Sequence, residues 1–148
     1  MVEMAILLSL LVMLFLGITE LGRAVYFQQK LSKATEAATR HMGRSWEAVN
    51  PADCTEGAQW GAATVLAANL AVFGSSDGVG TAAVPGFDAS DLTFEVLSRD
   101  VTGVGTVCVV RVTASVAYEG IFGNDLIPVL GIAQPTLNAG SEERYVGD

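Results

Sequence analysis

The sequence predicts an α+β protein: one long N-terminal helix, then a small head in which a second helix packs on a three- to four-stranded antiparallel sheet. Three observations carry this. An uncharged apolar run near the N-terminus passes without a break into a stripe of apolar residues at spacings of three and four. A second stripe of the same period follows Pro51 and stops at Gly74. After a glycine-rich stretch the period changes to two.

The chain has 148 residues, with 8 Lys and Arg against 16 Asp and Glu, a net charge of −8. A nucleic-acid partner is excluded unless a basic patch overcomes that charge, and the one basic stretch, Arg23 to Arg44, is interrupted by Glu36. The natural division is 1–47 as an N-terminal helix and 48–148 as one head domain.

Met4 to Thr19 carry no charge and are bounded by Glu3 and Glu20. At 1.5 Å per residue the run covers roughly 24 Å, short of a hydrocarbon core of about 30 Å, so it spans a bilayer only with thinning or help from its flanks. Three readings compete: a secretory signal peptide, a permanent anchor, and a helix for membrane storage and assembly. The first is disfavoured because the segment opens on Glu3 and leads into Glu-Leu-Gly-Arg-Ala-Val-Tyr, with neither a basic start nor a small-residue cleavage site.

Beyond Glu20 the helical pattern continues. Phe27, Leu31, Ala34, Ala38, Met42 and Ser45 form one face; Lys33, Glu36, Arg40 and Arg44 form another, with Glu36 and Arg40 spaced as an i,i+4 pair. A single helix from about Val2 to Trp46 would be on the order of 65 to 70 Å long, so its outer half must lie against something.

Glu3 leaves two readings open. A carboxylate buried at the end of an apolar run needs a partner, such as an amino terminus on a neighbouring subunit; alternatively it sits at headgroup level in water. The basic residues all follow the apolar run, which by the positive-inside rule places the C-terminal part in the cytoplasm unless a basic leader precedes Met1.

In the head, Asp53 and Glu56 have the spacing of an N-cap and its capping partner for the second helix. Ala58, Ala62, Val65, Leu66, Leu70 and Phe73 are its expected apolar stripe, docked on Ala34 and Ala38, with Gly74 as its stop. Gly74 to Gly86 reads as an exposed loop. Leu92, Phe94 and Val96, then Cys108, Val110, Val112, Ala114, Val116 and Tyr118, alternate as two strands joined by a turn at Thr102-Gly103-Val104-Gly105. Ile121 to Gln134, broken by Gly123, Pro128 and Gly131, reads as a turn or short helix crossing over to a last strand at about Thr136 to Val146.

Cys54 and Cys108 are the only cysteines. In an oxidising compartment an isolated pair forms a disulfide; the alternative is two unrelated buried thiols. A zinc site is not supported, because two thiolates and the distant His41 do not complete a shell. No metal or other cofactor is expected, and no catalytic site: there is no nucleophile elbow, zinc-protease or phosphate-loop pattern, and His41 reads as a surface residue. A calcium or ligand site built from the Gly74 to Gly86 loop with Asp88, Asp91, Asn124 and Asp125 matches no EF-hand spacing.

The N-terminal block Met-Val-Glu-Met-Ala-Ile-Leu-Leu-Ser-Leu-Leu, with Gly-Ile-Thr-Glu-Leu-Gly-Arg-Ala-Val-Tyr-Phe-Gln-Gln-Lys-Leu at Gly17 to Leu31, resembles the signature helix of the TadE-like proteins, pilin-like subunits of tight-adherence (Flp) pilus systems. The head agrees with that family in the order of its elements. The resemblance implies a structural subunit, not an enzyme. It would be held in the inner membrane with its head extracytoplasmic, processed by a prepilin peptidase, and passed by the pilus assembly platform into a surface filament with other pilin subunits. In such proteins an acid five residues into the mature chain assists assembly; carried over, that acid is Glu3, and the mature start falls two residues before Met1. The alternative reading is a permanently anchored periplasmic binding or scaffold module.

Overall fold

The computed structural model describes residues 2–121, 125–127, 132–133 and 135–147, and the side chains of 3–121 and 135–147. Helix α1 runs unbroken over Val2–Arg44, 43 residues, or about 65 Å at 1.5 Å per residue. Its expected stripe is the one that is buried: Leu31, Ala38 and Met42 are fully enclosed, and Phe27 and Ala34 nearly so. Thr35 and Thr39 are also enclosed. Their hydroxyls are satisfied within the helix, on the carbonyls of Ser32 and Thr35 respectively, so the stripe buries no unpaired polar atom there.

The helix stops where the chain turns through a left-handed residue, Glu47 (φ 49°). One of its last carbonyls, that of Gly43, accepts from Val146 N–H at 2.9 Å, so the C-terminal segment caps the stem. A side chain at Gly43 would press within 3.2 Å of the Arg144 carbonyl. Glycine therefore permits the close approach.

Asp53 and Glu56 do not cap the second helix, contrary to their spacing. Strands β1 (Val49–Asn50) and β2 (Thr55–Glu56) form a two-residue ribbon there. Asn50 Oδ1 accepts from Ala52 N–H, and Asp53 Oδ1 accepts from both the N–H and the hydroxyl of Thr55. Local side-chain-to-backbone bonds of this kind favour turns over helix starts. Helix α2 begins later, at Trp60, without a side-chain cap, and ends at Phe73 against Gly74 in the left-handed region, as expected.

The phase of α2 also differs from expectation. Ala63, Ala67, Ala68, Ala71 and Val72 are buried, whereas Val65 and Leu66 of the expected stripe are 60% and 42% exposed. The helix is apolar on every side, so period alone does not select a face. Packing does: it turns the alanine face inward, where α2 lies against α1 and shares one core with Ala34 and Ala38.

The glycine-rich segment after α2 is tied down rather than wholly exposed. Ala83 N–H donates to Val72 O, and Val84 and Phe87 are buried in the core. A short 3-10 turn, Ala89–Asp91, leads into β3 (Leu92–Val101), which pairs antiparallel with β4 (Gly105–Ala117) in register from Leu92 opposite Ala114 to Val101 opposite Gly105. Within the expected crossover the described residues form two short paired strands, β5 (Asp125–Ile127) and β6 (Ile132–Ala133); Gly123, Pro128 and Gly131 lie outside the described residues. β7 (Thr136–Arg144) returns antiparallel to β4, giving a main sheet of order β3-β4-β7. The inward residues Val110, Val112, Ala114 and Val116 alternate along β4 and meet the α1 stripe in one core.

Candidate functional site

Among the described residues no cleft gathers converging catalytic groups. The functional candidates lie along α1 and where the head meets it. From Met4 to Leu16 every large apolar side chain except the half-buried Met13 is 42% to 70% exposed. The helix is long and apolar enough to cross a membrane, and only 6% of its most apolar stretch is covered by the rest of the protein. The two hydroxyls in the run present no free donor: Ser9 bonds to the carbonyl of Ala5 at 2.8 Å and Thr19 to that of Phe15 at 2.9 Å. Such a surface is tolerated in lipid or against other apolar helices. Glu3 sits in the first turn, exposed, and is the only charge before Glu20.

Residues 1–40 match the family model described as TadE-like protein. Over these 40 residues the stem is similar to TadE-like proteins. The match ends inside α1, so the TadE-like segment comprises the exposed apolar half of the helix and most of the half that forms the core of the head. The match covers 40 of the chain's 148 residues. The chain shows no significant similarity to a curated protein or to a solved structure.

Within the TadE-like segment the structure brings forward a residue that the sequence marked only as the edge of the apolar run. Glu20 is 1% exposed. Its Oε1 accepts from the Tyr118 hydroxyl at 3.0 Å and from the Ile121 N–H at 2.9 Å, while Oε2 is enclosed without a hydrogen-bond partner among the described residues. Tyr118 stacks obliquely against Phe27, ring centroids 6.1 Å apart. Burial, reinforced by the bond to Glu20 and its charge, pushes the Tyr118 phenol up to about 12. The signal for Glu20 was present: the buried stripe Phe27, Leu31, Ala34 and Ala38 extrapolates back through Ala24 at the same spacing of three and four. Its neighbours along the sequence place this acid at the edge of the apolar run, whereas its neighbours on the helix place it on the core face.

The other singled-out residues are placed as follows. Cys54 and Cys108 form a disulfide across a separation of 54 residues, joining the β1–β2 turn to the inward face of β4. Glu36 and Arg40 are paired on the exposed side of α1. His41 is partly buried near the end of α1, not a plain surface residue, with Nε2 enclosed and unpartnered among the described residues. Asp88 and Asp91 are occupied by nearby backbone donors: Asp88 Oδ1 accepts from Ser90 N–H and Asp91 Oδ2 from Asp88 N–H. Asn124 lies outside the described residues, as does the side chain of Asp125. Among the described residues no cluster of metal-ligating groups occurs. On the outer face of the sheet, Arg111 lies opposite both Glu95 and Glu142, and Arg99 joins from the end of β3. The Arg111 guanidinium, bonded to Glu142, holds that carboxyl below the usual range. This is a solvated cross-strand network that aligns β7 and contributes little stability.

Proposed function

We propose that this chain is a structural pilin-like subunit, stored in the inner membrane through Met4–Thr19 and later packed by that same helix into a Tad/Flp-type pilus serving adhesion or secretion. The carrying observation is the two-part character of one unbroken helix. Its first half leaves nearly all of its large apolar side chains exposed, and its second half is the central strut of the head. A rigid strut of this kind transmits the position of the stem to the head, so moving the stem from lipid to a bundle of like helices exchanges one apolar surrounding for another without refolding the head.

In this reading residues 1–47 act as the assembly helix, residues 48–148 are extracytoplasmic, and the head's acidic surface governs contacts with neighbours and surroundings. The disulfide fits an oxidising compartment. Glu3 pairs with a cation of an adjacent subunit, an amino terminus being the nearest in chemistry, and the prepilin peptidase and the assembly platform act on the chain before it enters the filament. No chemical step is assigned to it.

The test is substitution of Glu3 by Gln in cells, with filaments sheared from the surface and the chain followed in the sheared and membrane fractions. The variant is expected to keep a folded head and to be depleted from filaments. Normal incorporation would remove the role given to Glu3. If the native chain itself remains in inner membranes and never enters filaments, a permanently anchored scaffold or binding module replaces the pilin reading.

A further inference from the structure

From Leu21 to Thr35 the helix carries Arg23, Lys30 and Lys33 and no acid. Glu20, which would otherwise offset them, is turned into the head and covered by Tyr118 and Ile121. Among the described residues neither Arg23 nor Lys30 has an acidic partner at salt-bridge distance. Each instead lies over an aromatic ring one turn away: Arg23 over Phe27, 5.2 Å to the centroid, and Lys30 over Tyr26, 4.9 Å. Around them Leu21 (60%), Val25 (50%), Tyr26 (54%) and Ile121 (58%) are exposed apolar or amphipathic side chains.

The length of the stem says where this collar sits. A hydrocarbon core of about 30 Å takes up roughly 20 helical residues. Counted from Met4, the twentieth is Arg23. The shortfall of the uncharged run is thus made up by residues 20–23, Leu21 enters the lipid, and Glu20 falls within the hydrocarbon margin, where a carboxyl is tolerated because the foot of the head encloses it. Tyr26 then stands about 5 Å beyond the margin and Lys30 about 10 Å beyond it, the layer in which aromatic rings and basic side chains meet lipid headgroups.

We propose that the foot of the head is a seat on the membrane surface, in which Arg23 and Lys30 hold the phosphate of an anionic phospholipid while Leu21 and Ile121 enter the lipid margin. The inference rests on the membrane-stored form of the reading above and names the lipid class it uses. The rings of Phe27 and Tyr26 confine the two cations beside the helix, so less side-chain freedom is lost on meeting a headgroup than for cations on unrestrained stems. Holding the foot at the surface fixes the height of the head before assembly.

The test uses the full chain in mild detergent with equal amounts of phosphatidylglycerol and phosphatidylcholine of matched acyl chains, scored as retained lipid by native mass spectrometry. Each basic residue near an anionic surface is worth roughly a factor of five. The wild type should therefore prefer phosphatidylglycerol by about 25-fold, and Arg23→Gln/Lys30→Gln should lose most of that preference. Arg99→Gln/Arg111→Gln, which removes the same charge from the outer face of the sheet, should keep it. A readout needing no variant is salt: raising it from about 0.05 to 0.5 M should weaken the wild-type preference severalfold. Equal retention of the two lipids by the wild type, or a preference untouched by the Arg23/Lys30 change, overturns the proposal. Neither result bears on whether the chain enters filaments, which the Glu3 experiment reads separately.

Discussion

Tyr118→Phe removes one oxygen from the interior and leaves the ring in place against Phe27. In the native protein that oxygen donates to Glu20 Oε1 at 3.0 Å, and the only other bond to this carboxyl among the described residues comes from Ile121 N–H. Losing the donor leaves a fully buried carboxyl with a single partner, a cost of about 2 kcal/mol within a range of roughly 1–3. For a head of about 100 residues this lowers the thermal midpoint by roughly 8–16 °C. Far-UV circular dichroism of the detergent-solubilised chain would measure it. Glu20→Ala alone and combined with Tyr118→Phe completes a cycle whose coupling should be on the order of 1 kcal/mol. A phenol pushed from 10.0 to about 12 favours the folded state up to the ordinary tyrosine pKa, and that contribution is lost as pH rises from there through about 12. The alkaline loss of stability should therefore be smaller in Tyr118→Phe. A midpoint within about 2 °C of wild type, or strict additivity in the cycle, would refute the idea that Glu20 and Tyr118 form the joint between stem and head.

Two further outcomes follow from the packing. Replacing Cys54 and Cys108 by Ser opens a loop closed across 54 residues, which in the chain-entropy treatment costs about 4 kcal/mol, read as a fall in the denaturant midpoint beyond that of Tyr118→Phe. On α2, Ala67→Leu forces three extra carbons into a fully enclosed position and should destabilise by roughly 1–3 kcal/mol, whereas Val65→Ser on the exposed side should stay within about 0.5 kcal/mol; the reverse ranking would mean that α2 docks by its other face.

Much of this arrangement was legible because it depends on short-range periodicity. The face of α1 from Phe27 to Met42, the stop at Gly74, and the alternation from Cys108 to Tyr118 each repeat within one or two turns or strand residues, so the sequence displays the buried face directly. The start of α2 was not legible because Asp53 and Glu56 satisfy two patterns at once, and the choice between a cap and a turn rests on a left-handed Cys54 (φ 53°) tied to Cys108, a constraint from 54 residues away. The phase of α2 was hidden by an excess of apolar residues, since a helix without a polar side gives period no contrast to report.

Sequence alone determined that the chain is one long helix with an uncharged apolar beginning, followed by an α+β head with a cysteine pair, because these properties belong to residues near one another along the chain. Tertiary structure decided which face of α2 is buried, that the glycine-rich segment is pinned by Val84 and Phe87, and that Glu20 is a core residue joined to Tyr118 at a separation of 98 residues. Those outcomes turn on which surfaces exclude water when distant segments meet, a free energy that no local stretch of sequence contains.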